Sequence, residues 1–106
     1  MKPTIGRIVH YTLSQQDADA INKRRADAHN LNAAGVTLAS QALGPQIHVG
    51  NHAFEGDVYP AMVVRIFHPE TTTANLQVFL DGNDTYWATS RTLGDGPSHW
   101  AWPERV

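Results

Sequence analysis

The chain has 106 residues, 42% of them apolar and 17% charged, with no cysteine and a formal net charge of −2. This is the length of one domain, and the missing cysteines exclude disulfides, zinc–thiolate sites and thiol catalysis. A general nucleic-acid binder carries a basic excess, and this chain has none.

The opening stretch MKPTIGRIVHY has no apolar signal-peptide core, and no apolar run reaches transmembrane length. A cytoplasmic setting without a membrane partner is expected. GRIVHYTL (6–13) reads as the first strand, with Val9, Tyr11 and Leu13 on one face and Ile8, His10 and Thr12 on the other. Ser14 then suits a helix N-cap, and Asp17 three residues later comes close to a capping box. Asp17 and Asp19 precede Lys23, Arg24 and Arg25, an order that complements the helix dipole. Ala18, Ile21, Ala28 and Leu31 form a thin apolar stripe, so a helix is expected from about Gln15 to Asn30, packed on the domain rather than forming its core.

Residues 31–47 are ambiguous between a short second helix and an ordered loop, and Gly44-Pro45 ends the stretch either way. From there the chain reads as β. Two turns centre on Gly50-Asn51 and Gly56-Asp57. AMVVRIF (61–67) is almost wholly apolar and is expected to be buried on both faces. LQVFLD (76–81) alternates, with Leu76, Val78 and Leu80 on one side. GND (82–84) turns the chain into TYWATS (85–90), which makes a hairpin. RTLGDGPS (91–98) is a loop, and HWAW (99–102) is a short last strand with Trp100 and Trp102 on one face. The expected fold is α+β, mainly β: a small SH3-like barrel or strongly curved antiparallel sheet, with one helix inserted after the first strand, in a single domain spanning 1–106.

The stretches GRIVHYTLS, GDVYPAMVVRIF, LQVFLDGNDTYWATS and GDGPSHWAWPER together resemble a widespread group of small proteins encoded by tailed bacteriophages and prophages. The resemblance is weakest over 24–47. The group has no established activity, so no catalytic role carries over. The resemblance implies phage or prophage origin, action in the host cytoplasm, and an accessory role such as inhibiting a host protein, sequestering a defence signal or decorating a virion.

No residue pattern nominates a catalytic site, since there is neither a thiol nor a nucleophile elbow. The six histidines include His48 and His52 four apart, but Gly50 between them argues for a turn, and no metal site or cofactor is assigned. A metal-assisted hydrolase would rest on the histidine count alone. Asp81, Asn83 and Asp84 are better explained as turn residues than as calcium ligands. Lys23-Arg24-Arg25 reads as a solvated helix face, or else as a contact for phosphates or an acidic partner.

The aromatic and arginine residues of the second half are the strongest site signal: Tyr59, Arg65, Tyr86, Trp87, Arg91, Trp100 and Trp102. Rings beside guanidinium groups can stack on a base and hold a phosphate, and they serve equally as a protein hot spot. The first reading is therefore a non-enzymatic protein that sequesters a small nucleotide-like ligand. The alternative is an interaction module for a host or virion protein. For Trp100 and Trp102 the competing reading is core packing or the seam of a homo-oligomer.

Overall fold

The computed structural model describes residues 2–33 and 50–104. The order is β1 (Ile8–Thr12), α1 (Gln15–Ala33), β2 (Val58–Ile66), β3 (Ala74–Phe79), β4 (Thr85–Arg91) and β5 (Trp100–Ala101). The strands form one antiparallel sheet in the order β4-β3-β2-β1-β5. The α+β, mainly β class expected from the sequence is what the chain adopts, but the sheet is not closed into a barrel. One parallel bridge, Leu93 with Trp100, draws the segment after β4 toward β5. Residues 34–47 of the ambiguous stretch, with His48, lie outside the described residues. Leu31–Ala33 continue α1 past its expected end.

The register assigns every strand residue to a face, because directly paired residues project to the same side. Val9, Ala61, Val78 and Tyr86 form one row across the sheet, and Val63, Leu76 and Ala88 form another. All of these except half-buried Tyr86 are fully buried. Together with Tyr11, Leu13 and Trp100 they make the inner face. Helix α1 adds only Ala18 and Ile21 to this core, so it packs on the sheet rather than forming the core. Leu76, Val78 and Leu80 share that face, as their alternation in sequence requires.

Two β-bulges reset the alternation. In β2 the extra residue is Val64, so Val64 and Arg65 both turn outward before Ile66 returns to the core. The expectation that 61–67 is buried on both faces is therefore corrected: only Ala61 and Val63 are fully buried, and Val64, Arg65 and Phe67 are exposed. In β4 the extra residue falls between Ala88 and Arg91. Ser90 takes a left-handed φ of 56° there, and its N–H donates to Asn75 Oδ1 at 2.8 Å. Without that extra residue Arg91 would point outward; with it, Arg91 points inward.

The final strand explains the aromatic end of the chain. Trp100 has no exposed surface, and its indole Nε1 donates to the carbonyls of Thr72 (3.0 Å) and Arg91 (3.2 Å). Trp102 packs edge-on against it at 5.2 Å, with the Arg7 guanidinium 5.3 Å from the Trp102 ring. Trp100 is thus core and not an oligomer seam. Gly50 lets the incoming chain touch the β3–β4 turn, since a Cβ there would lie 2.3 Å from the Asp81 carbonyl oxygen. Trp100→Ala removes a fully buried indole, for which a loss of ~3–5 kcal/mol is usual. Thermal denaturation should show a melting point lower by ~15 °C or more, with a smaller loss for Trp102→Ala.

Candidate functional site

The most buried charged group is Asp17, only 1% exposed in the first turn of α1. Ser14 caps this helix reciprocally: its Oγ accepts from the Asp17 N–H at 3.0 Å, and its own N–H donates to Asp17 Oδ2 at 3.0 Å. The carboxylate then reaches the sheet. Tyr11 of β1 donates its hydroxyl to Oδ2, while Tyr86 and Arg91 of β4 donate to Oδ1, each at 3.0 Å. The Arg91 guanidinium also lies 5.7 Å from the Tyr11 ring. One carboxylate thus joins the helix start to two strands that are not neighbours in the sheet.

Burial alone would raise the Asp17 pKa. The hydrogen bonds from Tyr11 and the Ser14 N–H, with the Arg91 charge and Tyr86, outweigh it and hold the carboxyl below its ordinary value. Tyr11 moves the other way, pushed well up by burial and by donating to Asp17. Tyr86 is raised for the same reasons.

A second ion cluster fixes the other end of the exposed helix face. Arg25 is 7% exposed and grips Asp84 through Nε (3.1 Å) and Nη2 (2.8 Å), while its Nη1 donates to the Asn51 carbonyl. Arg24 donates to Asp84 at 2.7 Å, and Lys23 pairs with Asp27 at 2.8 Å. Burial would raise the Asp84 pKa, but Arg25 and Arg24 bring it below normal. The solvated-face reading holds for Lys23 and Arg24, which are exposed, and is corrected for Arg25, which is buried and anchors the helix to the β3–β4 turn. Asn22 adds a third anchor, donating to the Ala53 carbonyl (2.8 Å) and accepting from its N–H (3.0 Å).

The seven residues singled out in the sequence do not converge. Tyr86 and Arg91 face inward and are held by Asp17. Trp100 is buried and Trp102 stacks on it. Tyr59 is half-buried against the core, and its hydroxyl donates to Asp57 at 3.2 Å. Only Trp87, 60% exposed, and Arg65 project from the outer face. Arg65 lies 5.2 Å from the Phe67 ring.

The outer face holds what the sequence reading missed. The register sets Ile8, Met62, Gln77 and Trp87 in one row across four strands. Val64 and Phe79 flank it, and Ile8, Val64 and Phe79 are all exposed. A half-buried antiparallel sheet ordinarily carries polar residues outward; here that row is apolar except for Gln77. The outward exposure of Trp87 could be read from alternation alone, but its neighbours follow from pairing between distant segments.

Among the described residues, no group of three His, Asp or Glu side chains could hold a metal ion. A cleft of about 440 Å³ opens between Lys2–Thr4 and the Ile66–Thr71 segment, and none of the seven predicted residues lines it. Comparison with family models, curated proteins and solved structures finds no match.

The Asp17 cluster sets a pH window. A carboxylate with a lowered folded pKa contributes stability that is present above ~4 and lost as pH falls, and a tyrosine with a raised pKa contributes stability that is lost as pH rises past ~10. Melting points should be flat between these limits and fall outside both, with Tyr11→Phe weakening the alkaline fall. Asp17→Asn leaves Arg91 facing a neutral group and should cost ~3 kcal/mol or more in denaturant unfolding.

Proposed function

We propose that this chain is a non-enzymatic interaction module whose outer sheet face docks a protein partner, in keeping with the accessory role that its resemblance to phage proteins implies. The observation that carries the reading is Trp87, 60% exposed in a row with Ile8 and Met62. A large ring left in water on a rigid strand is the usual anchor of a protein interface. The supporting side chains Met62 and Gln77 sit on central strands β2 and β3, so the face is presented without ordering a loop. The buried polar groups argue in the same direction. Asp17 and Asp84 are saturated by internal donors, so neither is a poised acid or base.

Sequestration of a nucleotide-like ligand is the second reading. It is carried by Arg65 and Trp87, which remain exposed on one face. It lacks the support of Tyr86 and Arg91, whose donors are directed at Asp17.

Pull-down from host cells with the full chain, beside Trp87→Ala and Met62→Asp, separates the readings. Loss of a hot-spot ring typically weakens binding ~30-fold or more, while Trp87→Ala, at an exposed position, leaves the melting point within a few degrees; Met62 is half-buried, so Met62→Asp is read only after its fold is checked by melting. A captured protein lost in both variants supports docking. Capture unaffected by either variant overturns it, as does a thermal shift with a nucleotide that disappears in Arg65→Ala.

A further inference from the structure

We infer that the partner segment taken by the outer face is acidic: a stretch of polypeptide whose aromatic or aliphatic side chains pack on the row from Ile8 to Trp87 and whose carboxylate pairs with Arg65. This rests on the proposal that the outer face docks a protein, and it names the chemistry of the partner. Three observations support it.

The first is where the charges lie. The chain has ten acidic and eight basic residues, yet none of the acidic ones falls in a strand. They lie in α1, in the connecting segments and after β5. The outward strand positions hold two ionisable side chains, His10 and Arg65, both exposed and both basic. These flank the apolar row on opposite sides. His10 lies beyond Ile8, level with Pro60, and Arg65 lies beyond Met62 in the other direction. A face apolar in its middle and basic at its margins, on a chain negative overall, favours an acidic apolar segment and disfavours a basic one.

The second is the state of Arg65. Arg24 and Arg25 take Asp84, and Arg91 takes Asp17. Glu70, the acidic residue nearest to Arg65 in the chain, is held by Lys2 at 2.7 Å. Among the described residues no carboxylate pairs with Arg65. Its guanidinium lies 5.2 Å from the Phe67 ring. Stacking of this kind uses the flat face of the group and leaves its N–H edge for a carboxylate, with less side-chain freedom to lose.

The third is reach. Arg65 lies three residues from Met62 along β2, and Trp87 lies two strands across from Met62. At ~3.3 Å per residue and ~4.8 Å per strand, the two are on the order of 13 Å apart. About four extended residues cover that span, so one short segment meets both. A nucleic-acid strand would need a series of cations for its successive phosphates. One guanidinium and one imidazole suit one or two carboxylates.

Selection of a random peptide library on the full chain tests this, with Trp87→Ala, Arg65→Ala and Arg65→Glu as parallel baits. Each bait is checked for an unchanged fold by circular dichroism and melting, which substitutions at these exposed positions should leave intact. Peptides retained by the wild type should combine Asp or Glu with aromatic or aliphatic residues. Their affinity, measured by calorimetry, should fall ~10-fold in Arg65→Ala and ~30-fold in Trp87→Ala. The Arg65→Glu bait should reject them and retain peptides bearing Lys or Arg instead. A merely structural role for Arg65 would not produce that reversal. Retained peptides without an acidic excess, or that bind Arg65→Glu as well as wild type, overturn the inference. If such peptides are still lost in Trp87→Ala, the docking face stands. A wild type that retains no peptide overturns both readings. A dT oligonucleotide that binds the wild type and is lost in Arg65→Ala overturns both in favour of nucleic acid.

Discussion

The Asp17 carboxylate receives two tyrosine hydroxyls, a guanidinium and a backbone N–H while almost wholly removed from water. A lone buried carboxylate would cost several kcal/mol, and only a full set of donors makes it tolerable. That requirement shapes the rest of the molecule. The helix must begin directly beside the sheet, and side chains of β1 and β4 must both reach it. The apolar contribution of α1 is small, chiefly Ala18 and Ile21, so polar anchors at Asp17, Asn22 and Arg25 hold the helix where a wide apolar stripe is lacking. Of the six charged residues of α1, Asp17 and Arg25 are turned inward, and the other four stay exposed.

The same cluster divides the aromatic and arginine residues into two populations. Tyr86 and Arg91 are drawn in, and Trp87, between them in the chain, is turned out by the period of the strand. The bulge near Ser90 is what allows Arg91 to join Tyr86 on the inner side three residues after Ala88. The bulge at Val64 has the opposite consequence, adding an apolar residue to the outer face. The two register shifts thus add one polar residue to the inner face and one apolar residue to an outer face that is already rich in apolar side chains for the solvent side of a sheet.

Several elements were legible in the sequence because they depend on neighbours in the chain. The start of α1 followed from Ser14 and Asp17, the inward set Val9, Tyr11 and Leu13 from period-two alternation, and the β3–β4 hairpin from Gly82-Asn83-Asp84 between two strands. The misread elements depend on distant partners. The strand at 61–67 looked buried on both faces because its apolar run hides the bulge at Val64, which exists only in pairing with β3. Asp17 read as a cap because nothing local shows that Tyr11, Tyr86 and Arg91 will meet it.

The sequence by itself determined the fold class, the order of helix and strands and the face on which most strand residues lie, because periodicity and capping are local properties of the backbone. Tertiary structure alone decided which aromatic and arginine side chains are internal and which are exposed. That choice turns on strand register and on one buried carboxylate gathering donors from residues as far apart as 11 and 91, and no local pattern in the chain carries that information.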